Sequence, residues 1–211
     1  QPIVKLHEHY PKVNSSLHQG SPDQVAKMLI DEVAEIGIAT ESLAHDDQLV
    51  SLPCYEWQHV LVMPNDHPLA QTSKRDSLSL EDLAKESLIT YHPSFTGRTK
   101  VDLAFANKKL TPRIALEAID SDVIKTYVRT GLGIGIVAEM AVRDGLGHDS
   151  NQDLTVIPVG HLFGFNVARV AFKRSAYLRN FVYKFAELLS DRLTRDLIIQ
   201  AMNGKGDDFS M

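Results

Sequence analysis

The chain has 211 residues, of which 44% are hydrophobic and 23% are charged, and its formal net charge is −5 at pH 7. This composition is ordinary for a soluble protein and fits one large domain or two small domains of about 100 residues each. The negative net charge gives the chain taken alone no excess of basic residues for binding nucleic acid. Its single cysteine, Cys54, excludes an intramolecular disulfide, and no apolar run reaches the roughly 18 residues that a membrane span needs.

The first predicted element is an amphipathic helix that carries Ile3, Val4 and Leu6 and ends before Pro11. The N-terminus lacks the charged start and apolar run of a signal peptide. It also lacks an initiator Met, and its pattern opens directly inside this helix. We therefore expect the chain to be a fragment whose upstream part has been removed. Residues 13–18 alternate in polarity, which predicts a strand.

A second helix has a full set of start signals. Gln19 and Gly20 form a turn, Ser21 is placed to be the N-cap, and Pro22 and Gln24 complete a capping-box pattern. This helix is predicted to carry Val25, Met28, Leu29 and Val33. Residues 36–39 then predict a short buried strand that ends at Thr40. Together with residues 13–18 this is a β-α-β pattern, for which a right-handed parallel crossover is the default.

The middle of the chain alternates short strands with helices. Strands are predicted at residues 49–53, 57–63 and 88–91. A turn is predicted at residues 65–68, and after it a short helix that begins at a cap, Ser79 (or Ser77), and runs through Leu83. A loop is predicted at residues 92–95. The next helix begins at Thr96, Gly97 and Arg98 and carries Val101, Leu103, Ala104 and Phe105. The next strand is predicted at residues 114–118. Later strands are predicted at residues 155–159 and 167–172, and two helices follow. This alternation predicts α/β layers with mostly parallel sheets.

The stretch from residue 120 to residue 140 contains three closely spaced glycines. Asp120, Ser121 and Asp122 mark the start of a helix, Gly131 supplies its left-handed stop, and residues 134–137 predict a buried strand. A dinucleotide-binding loop needs the order strand, glycines, helix, whereas these glycines join a helix to a strand. They are therefore predicted to let a helix pack close to the next strand.

Three positions combine hydroxyls with exposed amides where strands end and helices begin: residues 19–21, Thr40, and residues 94–98. Such donors can hold an anion without a metal. Asp120 and Asp122 would repel an anion from the helix that they start. Residues 96–98 have no acid nearby and add the cation of Arg98, so Thr96 is the best single candidate for an anion contact. The alternative is that Thr96 and Ser21 are merely N-caps and that Thr40 is an ordinary strand end.

No catalytic or metal-binding pattern is found in the sequence. His7 and His9 diverge on a helix, and the other histidines lack ligand spacing. Cys54 has no catalytic partner nearby in sequence, and no G-x-S-x-G elbow is present. Trp57 lies on a predicted strand, where core packing is the default and lining a cleft is the alternative. We therefore expect no catalytic residue, no metal and no cofactor.

Several stretches together resemble one known family, the effector-binding domain of LysR-type transcriptional regulators. They are HQGSPDQVAKML, IGIATESL, LPCYEWQHVLVMPNDHPLA, FTGRTKVDLAF, LTPRIALEAIDSDVIKTYVRTGLGIGIVAEMAV and LTRDLI, and the resemblance covers essentially the whole chain. LPCYEW, FTGR and DSDVIKTYVR are specific to the subgroup that controls sulfur assimilation and cysteine biosynthesis.

The resemblance implies a type II periplasmic-binding-protein-like fold, in which two Rossmann-like α/β subdomains are joined by two crossover strands. Subdomain I would take residues 1–55 and 162–211, and subdomain II would take residues 56–161. Thr40 and Thr96 match the threonines that contact the anion in the family, and Gln19, Gly20, Ser21, Trp57 and Gly97 would lie around the same effector cavity. The family's N-terminal winged helix-turn-helix domain and the first strand of subdomain I have no counterpart in this chain. Ile119 stands where the subgroup has a threonine.

The implied ligands are N-acetylserine or O-acetylserine as inducers and sulfate-like anions such as sulfate or thiosulfate. The implied assembly is a homo-oligomer, dimer or tetramer, which binds promoter DNA through the N-terminal domain and contacts RNA polymerase as the full-length protein. The implied location is the cytoplasm, with no membrane contact. Two other functions remain open at this point: a periplasmic anion-binding protein of an ABC transporter, and an enzyme on the same bilobal fold, although the latter would need a catalytic cluster.

Overall fold

The structure, a computed structural model, describes residues 2–40, 43, 46–71, 78–95, 97–142 and 151–204. The chain divides into two compact units. Unit 1 comprises Gln1–Glu56 and Val167–Met211, and unit 2 comprises Trp57–Asn166. Both boundaries fall inside strands, β2 (Leu49–Pro64) and β7 (Phe165–Lys173), so the chain passes between the units twice in extended conformation.

Unit 1 contains helices on a small group of strands. Its elements are α1 (Pro2–His9), α2 (Pro22–Ile30), β1 (Gly37–Ala39), the first half of β2, β7 from Val167 onward, α7 (Asn180–Leu189) and α8 (Arg195–Met202). β1 is an edge strand that pairs antiparallel with β7, with Ile38 opposite Val170. The apolar core joins β2 and β7 to the two C-terminal helices through residues such as Leu52, Phe172 and Val182.

The predicted start of α2 is confirmed. The Gln24 backbone N–H donates to Ser21 Oγ at 3.4 Å, and the Ser21 N–H donates to Gln24 Oε1 at 2.8 Å, which completes the capping box. Leu29 is fully buried as expected. Val33 was expected on the same face, but this expectation is wrong, because the helix ends at Ile30 and the Val33 side chain is 58% exposed.

The strand predicted at residues 13–18 is wrong, and with it the parallel β-α-β unit. These residues form no strand, and nearly all of their side chains are exposed. A strand is stabilised by its ladder of backbone hydrogen bonds, and among the described residues this segment has only the bond from the Val13 N–H to the Tyr10 carbonyl. An alternating pattern without a neighbouring strand therefore stays irregular.

Unit 2 contains a five-stranded sheet in the order β6-β2-β5-β3-β4. Its elements after the second half of β2 are α3 (Leu80–Leu83), β3 (Ser87–Tyr91), α4 (Arg98–Asn107), β4 (Arg113–Ala118), α5 (Ser121–Arg129), β5 (Ile134–Ala138), β6 (Leu154–Pro158) and α6 (Gly160–Phe163). β3 runs parallel to β4 and β5, and β2 runs antiparallel to β5 and β6. The sheet is mixed, so the expectation of mostly parallel sheets is wrong.

The strand β2 supplies apolar residues to both faces of this sheet. Leu61 and Met63 belong to one buried cluster, and Val60 and Val62 belong to another. Successive residues of a strand point to opposite faces, so this run of buried residues indicates a sheet that is covered on both sides. The sequence predicted two separate strands here, at residues 49–53 and 57–63. The structure has one continuous strand of 16 residues.

The glycines that join α5 to β5 have the packing role that their order predicted. Gly131 has a φ of +78° and ends α5. A Cβ on Gly135 would lie 2.9 Å from Val128 Cγ2 and 3.0 Å from Ile124 Cγ2, both on α5. A Cβ on Gly133 would lie 2.2 Å from the Ser87 carbonyl oxygen at the start of β3. At Gly135 the helix and the sheet therefore approach more closely than a side chain would allow, and at Gly133 the chain passes equally close to the backbone of β3.

Gly133→Ala is predicted to destabilise the protein more than Gly131→Ala. The Gly133 clash is with backbone, which no side-chain rotation can relieve, so we expect a loss of about 3 kcal/mol. Gly131 has open space around it, so only its left-handed φ disfavours a side chain. We therefore expect Gly131→Ala to lower the free energy of unfolding by about 1 kcal/mol. Urea unfolding of both variants measures the difference. Equal losses would contradict the close approach of Gly133 to β3.

Candidate functional site

The candidate residues of unit 1 flank the helix α2. Gln19 is exposed, and Gly20 and Ser21 lead directly into the first turn. Ser21 uses both its hydroxyl and its backbone N–H in the capping box, so its local role is to start the helix. Thr40 follows β1 and is only 7% exposed, and its carbonyl accepts the Leu43 N–H at 3.1 Å. The structure thus places these four residues in the same unit.

The candidate residues of unit 2 lie at the start of α4 and on β2. Thr96 lies outside the described residues. Gly97 is the N-cap residue of α4 and has a φ of +79°, a conformation that favours glycine. A Cβ on Gly97 would come within 2.7 Å of the His59 ring and 2.9 Å of Trp57 Cη2. The structure therefore brings Gly97 against both Trp57 and the imidazole of His59.

Arg98 does not supply a free cation to this loop, contrary to the sequence-based argument. Its side chain is buried and its guanidinium is already paired. Nε donates to Asp102 at 2.7 Å, and Nη1 donates to Glu117 at 2.8 Å and to the Tyr91 carbonyl at 2.6 Å. Asp102 lies one turn along α4 and Glu117 lies on β4, so acids are nearby after all. Arg98 fixes α4 to the sheet.

His59 is the residue of this region that the sequence analysis missed. It is fully buried, with its ring centroid 5.0 Å from that of Trp57 and 5.8 Å from that of Phe163. Within the described part of the chain, neither ring nitrogen has a hydrogen-bond partner. Leaving a buried polar atom unpaired costs about 1–3 kcal/mol. A sequence signal did exist, since residues two apart on a strand share a face, and Trp57 was already a candidate.

The imidazole of His59 is uncharged over the physiological pH range. Burial lowers its pKa from the ordinary 6.5 to about 4, and the positive charge of Lys100 on α4 acts in the same direction. A neutral imidazole offers one N–H donor and one acceptor nitrogen. This region thus offers a neutral imidazole beside the N-terminal end of α4 and the nearby charge of Lys100.

The described residues give no sign of metal or thiol chemistry. No group of three or more histidine, cysteine or acidic side chains among them could hold a metal ion. Cys54 is buried on β2, and burial raises the pKa of its thiol to about 11, which keeps it protonated and unreactive. Among the helices of the described residues, none is long and apolar enough to cross a membrane.

Comparison with known protein families gives a match over nearly the whole chain. Residues 2–194 match the family model for the LysR substrate binding domain. The chain belongs to the LysR family. The resemblance that the sequence motifs indicated is thereby confirmed.

The LysR domain described here is similar to curated regulators and to a solved structure. It is 49% identical over 209 residues to the HTH-type transcriptional regulator CysB of Burkholderia cenocepacia, covering 99% of this chain and 64% of the relative. It is 42% identical over 207 residues to the HTH-type transcriptional regulator Cbl of Escherichia coli, covering 98% of this chain and 63% of the relative. The crystal structure of the cofactor-binding domain of Cbl aligns with a TM-score of 0.85 at 44% identity, covering 95% of this chain and 86% of that one.

These comparisons confirm the predicted fold class. More distant LysR domains, such as the BenM effector-binding domain with benzoate, share the fold at 18% identity with a TM-score of 0.69. The type II periplasmic-binding-protein-like fold with helices around mixed α/β sheets is therefore the architecture of this chain. The chain spans slightly less than two thirds of the length of the curated regulators that it matches.

The stability of the protein is predicted to depend on pH through His59. The unfolded chain protonates this histidine near pH 6.5, whereas the folded chain does so near pH 4. Between these pH values the unfolded state binds more protons than the folded state, so the free energy of unfolding falls as the pH falls, by about 3 kcal/mol in total. Above pH 6.5 this histidine has no effect on the free energy of unfolding. Chemical unfolding of wild type and His59→Phe from pH 7.5 to 4 measures the difference between them, which cancels the other titrating groups. Parallel pH profiles would contradict the assignment.

Proposed function

We propose that this chain is the effector-sensing part of a LysR-type transcriptional regulator of sulfur assimilation and cysteine biosynthesis. The observation that carries the proposal is the similarity to CysB over 99% of the chain at 49% identity. The HTH-type regulator SsuR of Burkholderia cenocepacia is also 41% identical to this chain, over 193 residues. The chain is thus similar to a group of related regulators that includes SsuR and Cbl. The family match supports this function over a periplasmic transporter component or an enzyme.

The proposed effectors are small molecules that carry a carboxylate or are sulfur oxyanions: N-acetylserine, O-acetylserine, sulfate or thiosulfate. The candidate contacts are Thr40, Thr96 and Gly97, with Gln19, Gly20, Ser21 and Trp57 around them. Hydroxyls and helix amides suit an anion that must bind and leave reversibly, because they attract it without a fixed countercharge. The buried position of Thr40 and the tight Gly97 turn support this assignment.

The rest of the proposed mechanism belongs to the longer protein. An effector can change the regulator's activity only if it binds two conformations of the protein with different affinity. We propose that this chain transmits such a preference to an N-terminal helix-turn-helix domain that binds promoter DNA. In that proposal the protein is a cytoplasmic homo-oligomer, dimer or tetramer, contacts RNA polymerase and has no catalytic role. The names of its relatives as HTH-type regulators support the DNA-binding part.

Removing single hydroxyls should weaken effector binding. We expect Thr40→Val and Thr96→Val in the full-length protein each to reduce affinity about tenfold or more, because a lost donor to a charged group is worth about 1.5–3 kcal/mol. Titration calorimetry with each of the proposed effectors measures this. Thr126→Val is the matched control, since its hydroxyl donates to the Asp122 carbonyl within α5.

The controls separate two failures. If the wild-type protein binds none of these molecules, the effector assignment is wrong. If it binds them and the Thr40 and Thr96 variants bind equally well, the effector class stands and the site assignment is wrong.

We further propose that subdomain I has an additional first strand, supplied by sequence upstream of this chain. A groove of about 400 Å³ in unit 1 supports this, because β1 and residues 13–18 border it and apolar side chains of α1, α2 and α7 line it. β1 pairs on one side only, and residues 14–18 make no backbone hydrogen bond to another described residue. An extended segment between them could pair with both.

Hydrogen–deuterium exchange tests the additional strand. In the full-length gene product, the amides of residues 14–18 and 36–39 should exchange at least about tenfold more slowly than in the 211-residue chain, because ladder hydrogen bonds protect them. The amides of β3, in unit 2, serve as the internal reference and should not change. Equal exchange at residues 14–18 in both proteins would contradict the proposal.

A further inference from the structure

His59 combines two properties that packing alone does not explain. It is fully buried among Trp57, Phe163 and Gly97, and it makes no hydrogen bond within the described residues. An apolar side chain of similar size would fill the same space without leaving polar atoms unpaired. A group retained against this penalty is expected where it serves binding rather than stability.

The position of His59 points to the start of α4. Gly97, the N-cap residue, lies directly over the Cε1–Nε2 edge of the ring, since a Cβ there would be 2.7 Å from each of those atoms. The helix α4 has 10 residues, and its Arg98 and Lys100 N–H groups donate to the Phe95 and Gly97 carbonyls. The charge of Lys100, in the first turn, also acts on the ring. The positive end of the helix and this charge are thus concentrated at one place, and the buried ring faces it.

We propose that His59 is an effector-binding residue whose neutral imidazole hydrogen-bonds a small oxyanion, a carboxylate or a sulfur oxyanion, at the N-terminal end of α4. This inference rests on the proposed function and adds a residue to its site. Because Gly97 covers the ring edge, the effector must displace the Gly97 backbone to reach it, and a glycine has the conformational freedom to move. The ring N–H then donates to the anion beside the helix amides.

The first test observes the ring directly. Full-length protein labelled with ¹⁵N-histidine is titrated with N-acetylserine, O-acetylserine, sulfate and thiosulfate, and the His59 signals are assigned by their loss in His59→Phe. Saturation with the bound effector should shift a His59 ring nitrogen by several ppm, as a new hydrogen bond forms. His161, whose ring bonds the Leu78 carbonyl, is the internal reference and should not move.

The second test separates binding from structure. His59→Phe removes both nitrogens, so its melting temperature at pH 7.5 should equal or exceed that of wild type while its affinity for the effector falls about tenfold or more. His59→Gln, which keeps a donor and an acceptor, should bind within about threefold of wild type. If the role of His59 were merely structural, His59→Phe would lower the melting temperature and leave the affinity unchanged.

The outcomes are distinguishable. Effector binding with unperturbed His59 nitrogens, or with wild-type affinity in His59→Phe, overturns this inference and leaves the proposed function intact. Failure of the wild-type protein to bind any of the four molecules overturns the proposed function, and the inference with it.

Discussion

The strand β2 is the constraint on which the rest of the structure depends. It runs from Leu49 to Pro64 and belongs to both units. Its first half contributes Leu52 and Cys54 to the core of unit 1, and its second half contributes buried residues to both faces of the sheet in unit 2. Because alternate residues share a face, the register that buries Leu61 and Met63 also fixes Trp57 and His59 on that face. The candidate site is thus specified by the same pairing that builds the core.

The pairing of Arg98 determines what kind of anion site unit 2 can form. A guanidinium held by Asp102, Glu117 and a carbonyl is committed to anchoring α4 and leaves no net charge for a ligand. The Arg98 and Lys100 N–H groups already donate to the Phe95 and Gly97 carbonyls, so what this region offers is an uncharged imidazole beside the positive end of α4, with the charge of Lys100 nearby. A neutral donor lacks the Coulomb attraction between a cation and an anion, so it binds an anion less tightly than a free cation would. Such a site suits a sensor that must release its effector when the concentration falls.

Sequence reasoning succeeded where the decisive contacts are local. The capping box at Ser21 and the N-cap at Ser79 join residues three apart, and Gly131 ends its own helix, so each can be read without knowing the fold. Reasoning failed where distant residues decide. Residues 13–18 alternate like a strand but have no strand beside them, and the Arg98 partner Glu117 lies 19 residues away on β4. The unpaired state of His59 depends on every neighbour at once, which no local pattern encodes.

The imidazole of His59 connects the stability of unit 2 with its proposed function. Its two unpaired nitrogens oppose folding because the fold must hold a polar group away from water, and its depressed pKa adds to this penalty only below about pH 6.5, where the unfolded chain protonates the ring. A bound oxyanion would remove part of this penalty by supplying a partner for the ring N–H. The gain exists only in the complex, so it adds to the affinity of the effector. It becomes coupling free energy to the extent that the other conformation of the regulator cannot make the same bond.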